Sequence, residues 1–131
     1  MQKKLVPYLL LKDGVAVTGF DAKEKIGDGD PCKIAKNYSD QGADEILIFD
    51  LSKEEAQQEQ SLGIIKEISR IVDVPLIGGG NIKRMEEVKK LIYAGCRKVF
   101  LNYDKESNIE LTEEVSKRFG KEKIAVCVKN W

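Results

Sequence analysis

The chain contains no histidine. That absence removes the commonest general base near neutral pH, the Ser-His and Cys-His nucleophile pairs, and the usual zinc sites. Any chemistry would rest on carboxylates, lysines or phenols. Cysteine is scarce: Cys32, Cys96 and Cys127 form no close pair, suit neither a disulfide framework nor a metal site, and read as reduced core fillers. No metal or other cofactor is expected. Neither sign of charge predominates, since 22 basic and 22 acidic residues cancel, so neither nucleic acid nor an anionic membrane is an expected partner. The longest early apolar run, Leu5 to Leu11, is too short for a membrane span or signal peptide and contains Pro7, which points to a cytoplasmic protein. No Pro/Ser-rich linker divides the 131 residues, and 42% hydrophobic with 34% charged residues suits a single globular domain over 1–131.

Strand and helix patterns alternate throughout. Lys4 to Leu11 is nearly all apolar, as in a parallel strand covered on both faces, and Lys12-Asp13-Gly14 turns it. Val15 to Phe20 reads as an extended excursion. Asp30-Pro31, an N-cap followed by proline at N1, opens a first helix that Gly42 closes. Glu45 to Phe49 is the second parallel strand, and Ser52-Lys53-Glu54-Glu55 has the form of a capping box. Leu62, Ile65, Ile68 and Val72 share a helical face, and the third strand runs over Val72 to Ile77, or over Val74 to Ile77 where Val72 is counted with the helix. An amphipathic helix over Lys83 to Ala94 precedes the fourth strand, Lys98 to Leu101. A second capping box, Ser107 to Glu110, opens a helix with Leu111, Val115 and Phe119 inward, and Ile124 to Val128 is the fifth strand. The total is (βα)4β.

An internal repeat supports this count. Residues 35–48 match residues 88–101 in pattern at a constant offset of 53, from the helix through its closing glycine (Gly42, Gly95) into the next strand. An α/β fold with a parallel sheet and right-handed crossovers follows, either an arc of a barrel or an open flavodoxin-like sheet.

Gly78-Gly79-Gly80-Asn81, between the third strand and an amphipathic helix, is the most informative stretch. Glycines there let backbone N–H groups turn toward an anion at a helix N-terminus, and they serve an ordinary tight turn equally well.

Taken together, Val6 to Gly14, Gly29-Asp30-Pro31, Gly42 to Glu45, Phe49-Asp50, Pro75 to Gly80, and Ala94 to Val99 with Asn102 resemble the first half of the cyclase subunit of imidazole glycerol phosphate synthase. The likeness runs in order along the whole chain. That family of histidine biosynthesis consists of (βα)8 barrels built from two similar halves, each with a phosphate site, and a complete barrel needs about 250 residues. The resemblance therefore implies a parallel (βα)4β half of a TIM-like barrel, one that ends just after the fifth strand, as a piece cut from a longer protein would.

The resemblance also assigns roles. The family's two catalytic aspartates match Leu10 and Lys129, and its mobile active-site lysine matches Thr18, so all three catalytic groups are replaced and the cyclase reaction is expected to be lost. No catalytic residue is assigned. The phosphate side survives better: Gly79 and Gly80 match the glycine loop, Asn81 replaces its last glycine, and Asn102 matches the asparagine after the fourth strand. Asp50 matches an active-site carboxylate and is also a natural turn residue, while Lys129 would attract an anion where the family holds an acid. Lys4, Glu45 and Lys98 match charged residues of an ammonia gate at the opposite end, and suit a salt-bridge plug here.

Half a barrel exposes sheet edges and a curved apolar face, so self-association is expected, most simply a homodimer. Two five-strand arcs give ten strands rather than eight, so regular closure would displace one strand from each. The expected function is a non-catalytic module binding phosphate or a phosphosugar, as the sensor part of a larger signalling protein. A cyclase-related enzyme and a purely structural oligomerisation domain are the alternatives.

Overall fold

The structure, a computed structural model, describes residues 4–18, 24–80, 82–102 and 106–127, without the side chains of 102, 106, 107, 126 and 127. Among the described residues, three strands are followed by alternating helices and strands: β1 (Tyr8–Lys12), β2 (Val15–Thr18), β3 (Glu24–Lys25), α1 (Pro31–Asp40), β4 (Ile46–Asp50), α2 (Glu55–Ile71), β5 (Leu76–Gly79), α3 (Met85–Ala94), β6 (Lys98–Asn102), α4 (Glu106–Phe119) and β7 (Ile124–Cys127). The sheet order is β3-β2-β1-β4-β5-β6-β7. From β1 onward the strands are parallel and follow one another in sequence. Right-handed crossovers between strands laid down in one direction put every helix on the same face, whereas a doubly wound sheet reverses direction to cover both. The order is that of a barrel arc, and among the described residues the sheet does not close.

Two expectations change, one after β1 and one before β5. The excursion after β1 is sheet: β2 pairs antiparallel with β1, and β3 with β2. Asp13 (φ +51) and Gly14 (φ +84) supply the left-handed conformations of the connecting two-residue turn. The strand that sequence places over Val72 to Ile77 begins only at Leu76. Helix α2 persists to Ile71, and the Val72 N–H still donates to the Ile68 carbonyl, so Val72 caps a helix and Gly78 and Gly79 belong to the strand. The parallel ladders on both sides fix their backbone before any turn begins.

The helix ends divide between expected and unexpected. Asp30 caps α1, its Oδ1 accepting from the Cys32 and Lys33 N–H groups, with Pro31 at the first helical position. Gly42 and Gly95, partners in the 53-residue repeat, both follow a helix with positive φ, +94 and +118. The first capping box does not form: Glu54 precedes α2 without a side-chain cap, and Ser52 is fully buried elsewhere. The second is displaced because α4 already includes Glu106 and Ser107.

One face of the sheet and the inward stripes of the helices form a continuous core. Leu9, Leu11, Ile46, Ile48, Leu76, Val99 and Leu101 alternate toward the helices and meet Ala35, Ile65, Ile68, Val88, Leu111 and Val115. Cys96 lies in this core, and burial pushes its thiol up to about 12, so it remains protonated packing material. Cys32 is half-buried with its thiol likewise raised by burial. Among the described residues, no helix is long and apolar enough to cross a membrane.

Candidate functional site

The carboxyl ends of β4, β5 and β6 form one rim, the place where parallel α/β sheets hold ligands. Register puts Phe49 beside Gly79 and Gly79 beside Phe100, so Asn102 stands two residues beyond the partner of Gly79. The rim thus brings the Gly79-Gly80 segment and the Asn102 backbone to neighbouring strand ends. Asn81 and Lys129 lie outside the described residues.

The two glycines differ in what they avoid. A Cβ on Gly79 would sit 3.1 Å from the Phe100 Cβ and 3.2 Å from Phe49 Cδ2, between two rings that meet edge to face at 6.4 Å. Gly80 turns with φ +93, and a Cβ there would collide with the Asp50 carbonyl oxygen. Both glycines therefore have packing reasons to be glycine, independent of any ligand. The amides at the start of α3 are also engaged: the Lys83 and Arg84 N–H groups donate to Glu87 Oε1 at 3.1 and 3.0 Å. The protein's own carboxylate thus caps the residues that lead into α3, and an anion at those two N–H groups would have to displace it.

Asp50 does not share the face of Gly79. Ile46, Ile48 and Asp50 alternate toward the helices, and the carboxylate is built into the joint between β4 and α2. Its Oδ1 accepts from the Ser52 N–H and the Ser61 hydroxyl, both at 3.0 Å, and Ser52 Oγ accepts from the Asp13 N–H at 3.2 Å. Burial raises the Asp50 carboxyl above its ordinary range against the opposing pull of these hydrogen bonds, and Asp13 adds to the rise. The first ββ turn, the end of β4 and the second turn of α2 are thereby tied through one acid. Nothing in the sequence marked Ser61 as its partner; the signal was an isolated serine eleven residues on, on the apolar side of α2.

Asp50 and Gly80 also edge a cleft of about 480 Å³ between the first turns of α2 and α3. It is crossed by the Lys90–Glu59 ion pair at 2.9 Å. Among the described residues no cluster of acids and cysteines is arranged to hold a metal ion.

The inner face of the sheet, opposite the helices, carries a row of paired residues: Val17, Leu10, Phe49, Gly79, Phe100 and Ala125. All are apolar or glycine, and past Val17 the row continues to Lys25 on β3. Leu10, at 2% exposure, lies in this row between Val17 and Phe49, and Thr18 lies exposed at the end of β2. At the other end of the strands, Glu45 is buried and meets Lys4 at 3.3 Å and Lys98 at 3.6 Å, so the three charges do come together.

With this arrangement goes a match over residues 4–130 to the family described as histidine biosynthesis protein. The chain belongs to that family. It is 32% identical over 126 residues to the imidazole glycerol phosphate synthase subunit HisF of Campylobacter concisus (strain 13826), covering 96% of this chain and 50% of that one. The HisF subunit of Exiguobacterium sibiricum is 34% identical over 128 residues, 98% of this chain and 51% of the relative, and that of Helicobacter hepaticus gives the same figures. The chain spans about half the length of the curated relatives it matches.

Proposed function

We propose that this chain is a non-catalytic, ligand-binding half-barrel that holds a phosphate group of a small molecule at the rim formed by Gly79, Gly80, Asn81 and Asn102. The observation that carries the first half of this reading is the inner row. A cyclase of this family needs an acid–base pair inside the barrel, and this row has Leu10, buried and unable to move a proton, where the resemblance puts the first carboxylate. The buried acid nearest the rim, Asp50, faces the helices and is committed to Ser52 and Ser61.

The second half rests on what the rim retains. A backbone turn between β5 and α3 beside the end of β6 offers N–H groups to an anion without requiring a histidine or a metal. Lys129, by resemblance at the end of the fifth parallel strand, adds attraction where the family carries an acid. With few contacts, affinity for inorganic phosphate is expected near the millimolar range, about 4 kcal/mol, and tighter for a phosphosugar.

The test of the catalytic half is turnover of the phosphoribosyl aminoimidazole precursor of the cyclase reaction with ammonia supplied. The expected result is none above a mock-purified control. Ammonia-dependent turnover that co-purifies with the chain would overturn the reading.

A further inference from the structure

By charge alone an acid is out of place at the edge of a phosphate site, since a carboxylate repels the ligand. Asp50 borders the rim all the same, and its position relative to Gly80 supplies a reason. The parallel ladder of β4 and β5 ends at the pair Phe49 and Gly79. One residue further on, Gly80 turns away with φ +93 and lays its α-carbon against the Asp50 peptide, where a Cβ would stand 2.8 Å from the Asp50 nitrogen and 2.9 Å from its carbonyl carbon. The Asp50 backbone is thus the wall against which the anion-binding turn begins.

That wall is itself held from several directions. Asp50 Oδ1 accepts from the Ser52 N–H and the Ser61 hydroxyl, both at 3.0 Å, and all three residues are buried. Ser61 lies on α2, which Ile65 and Ile68 anchor in the core. Leu51 donates its N–H to the Leu11 carbonyl at 2.7 Å, and the Ser52 carbonyl accepts from Gln58 Nε2 at 3.2 Å. The chain after β4 is therefore pinned to both β1 and α2, and Gly80 rests against it.

We propose that Asp50 is a positioning residue for the phosphate site: through Ser61 and Ser52 it fixes the peptide on which Gly80 turns, and so presets the backbone N–H groups that meet the anion. The inference rests on the reading of the rim as an anion site and adds what holds that site in shape. A turn that is competent only part of the time binds with its affinity reduced by that fraction, so a side chain that touches no ligand still sets the affinity. Charge and positioning make opposite demands. By charge alone, loss of Asp50 tightens phosphate binding; as a positioning residue, its loss weakens it.

Titration of inorganic phosphate into the full 131-residue chain, followed by amide shifts, separates the two. Asp50→Ala and Ser61→Ala are expected to weaken binding about tenfold, the worth of one such hydrogen bond. Asp50→Asn, which keeps an oxygen for both donors, is expected to bind within about twofold of the unaltered chain. Ile68→Val, which removes a buried methyl group further along the same helix, lowers stability and leaves the affinity unchanged. The Gly80 amide resonance without phosphate is a second readout, expected to move in Asp50→Ala and Ser61→Ala and to hold in Asp50→Asn. Should Asp50→Ala fail to fold, Ser61→Ala decides. Unchanged or tighter binding in folded Ser61→Ala, or an equal loss in Ile68→Val, would overturn the proposal while the anion site stands. Failure of the site reading looks different: the unaltered chain then shows no saturable shift at the rim, and the positioning role falls with it.

Discussion

The same strands present two unlike faces. Toward the helices, Leu9, Leu11, Ile46, Ile48 and Val99 are at zero exposure, each met by side chains from within the chain. On the inner side the intervening residues divide: Leu10 and Ile77 are buried, while Tyr8, Leu47, Phe49 and Phe100 stay partly open to solvent. A two-residue period therefore sorts adjacent side chains into different surroundings: one set is wholly buried under the helices, and the other is only partly covered within the chain. The lesson is that an almost continuously apolar strand marks burial on both faces without saying that one chain provides it.

Neighbouring residues on β4 separate the two faces most sharply. Ile48→Ala removes a fully buried side chain from the helix-facing core and is expected to cost about 3 kcal/mol in chemical denaturation. Phe49→Ala, one residue on, is expected to cost only about 1–2 kcal/mol when measured at dilutions where the chain is monomeric. Equal losses under those conditions would mean that the inner face is covered from within.

The joint between β4, α2 and the rim comes next. Gly80→Ala is expected to destabilise by about 2 kcal/mol or more, because a side chain there takes a left-handed conformation against the Asp50 backbone. For this reason a Gly80 variant cannot report on ligand binding alone. Asp50→Ala strips the Ser52 N–H and Ser61 hydroxyl of their acceptor and is expected to cost about 2 kcal/mol. Asp50→Asn retains one acceptor oxygen and costs less. It also changes the pH profile. Since the folded state raises the Asp50 carboxyl above its ordinary 3.8, the folded protein holds that proton more tightly than the unfolded chain. The associated stability is complete below 3.8 and is lost as pH rises through the folded value. Denaturation followed across that acid window should show the loss in the unaltered chain and a flatter profile in Asp50→Asn.

The smallest expected effect lies at the opposite end of the strands. Glu45→Ala leaves Lys98 without its partner but frees the largely exposed Lys4, for about 1–2 kcal/mol. Lys4→Ala should cost less than about 1 kcal/mol, and that loss should shrink with salt.

Much of this architecture was legible in the sequence because its signals are local. Asp30-Pro31 opens α1, and Gly42 and Gly95 end repeated helices where only a residue tolerant of positive φ fits. The parallel strands follow from short apolar runs bounded by such stops. The β2–β3 hairpin was not legible, since Val15 to Thr18 pairs with a strand whose edge pattern sequence does not display. The two false capping boxes show the limit of a four-residue motif: Ser52 has the right spacing, yet its hydroxyl is drawn to Asp13, 39 residues away, and its N–H to Asp50. At the site, the grouping of Gly79, Gly80 and Asn102 followed from resemblance and strand order. The side on which Asp50 projects depended on the register of β4, where a shift of one residue reverses every side chain.

Whether the rim rather than the inner face holds the ligand is decided by titrating inorganic phosphate into the isotopically labelled chain and mapping amide shifts. Saturable shifts are expected at Gly79, Gly80 and Asn102, weakening with added salt and largely lost in Asn102→Ala while that variant stays folded. Shifts confined to the first turn of α3, or none at all in the folded chain, would contradict binding at the rim and leave the glycines to the packing of Phe49, Phe100 and Asp50.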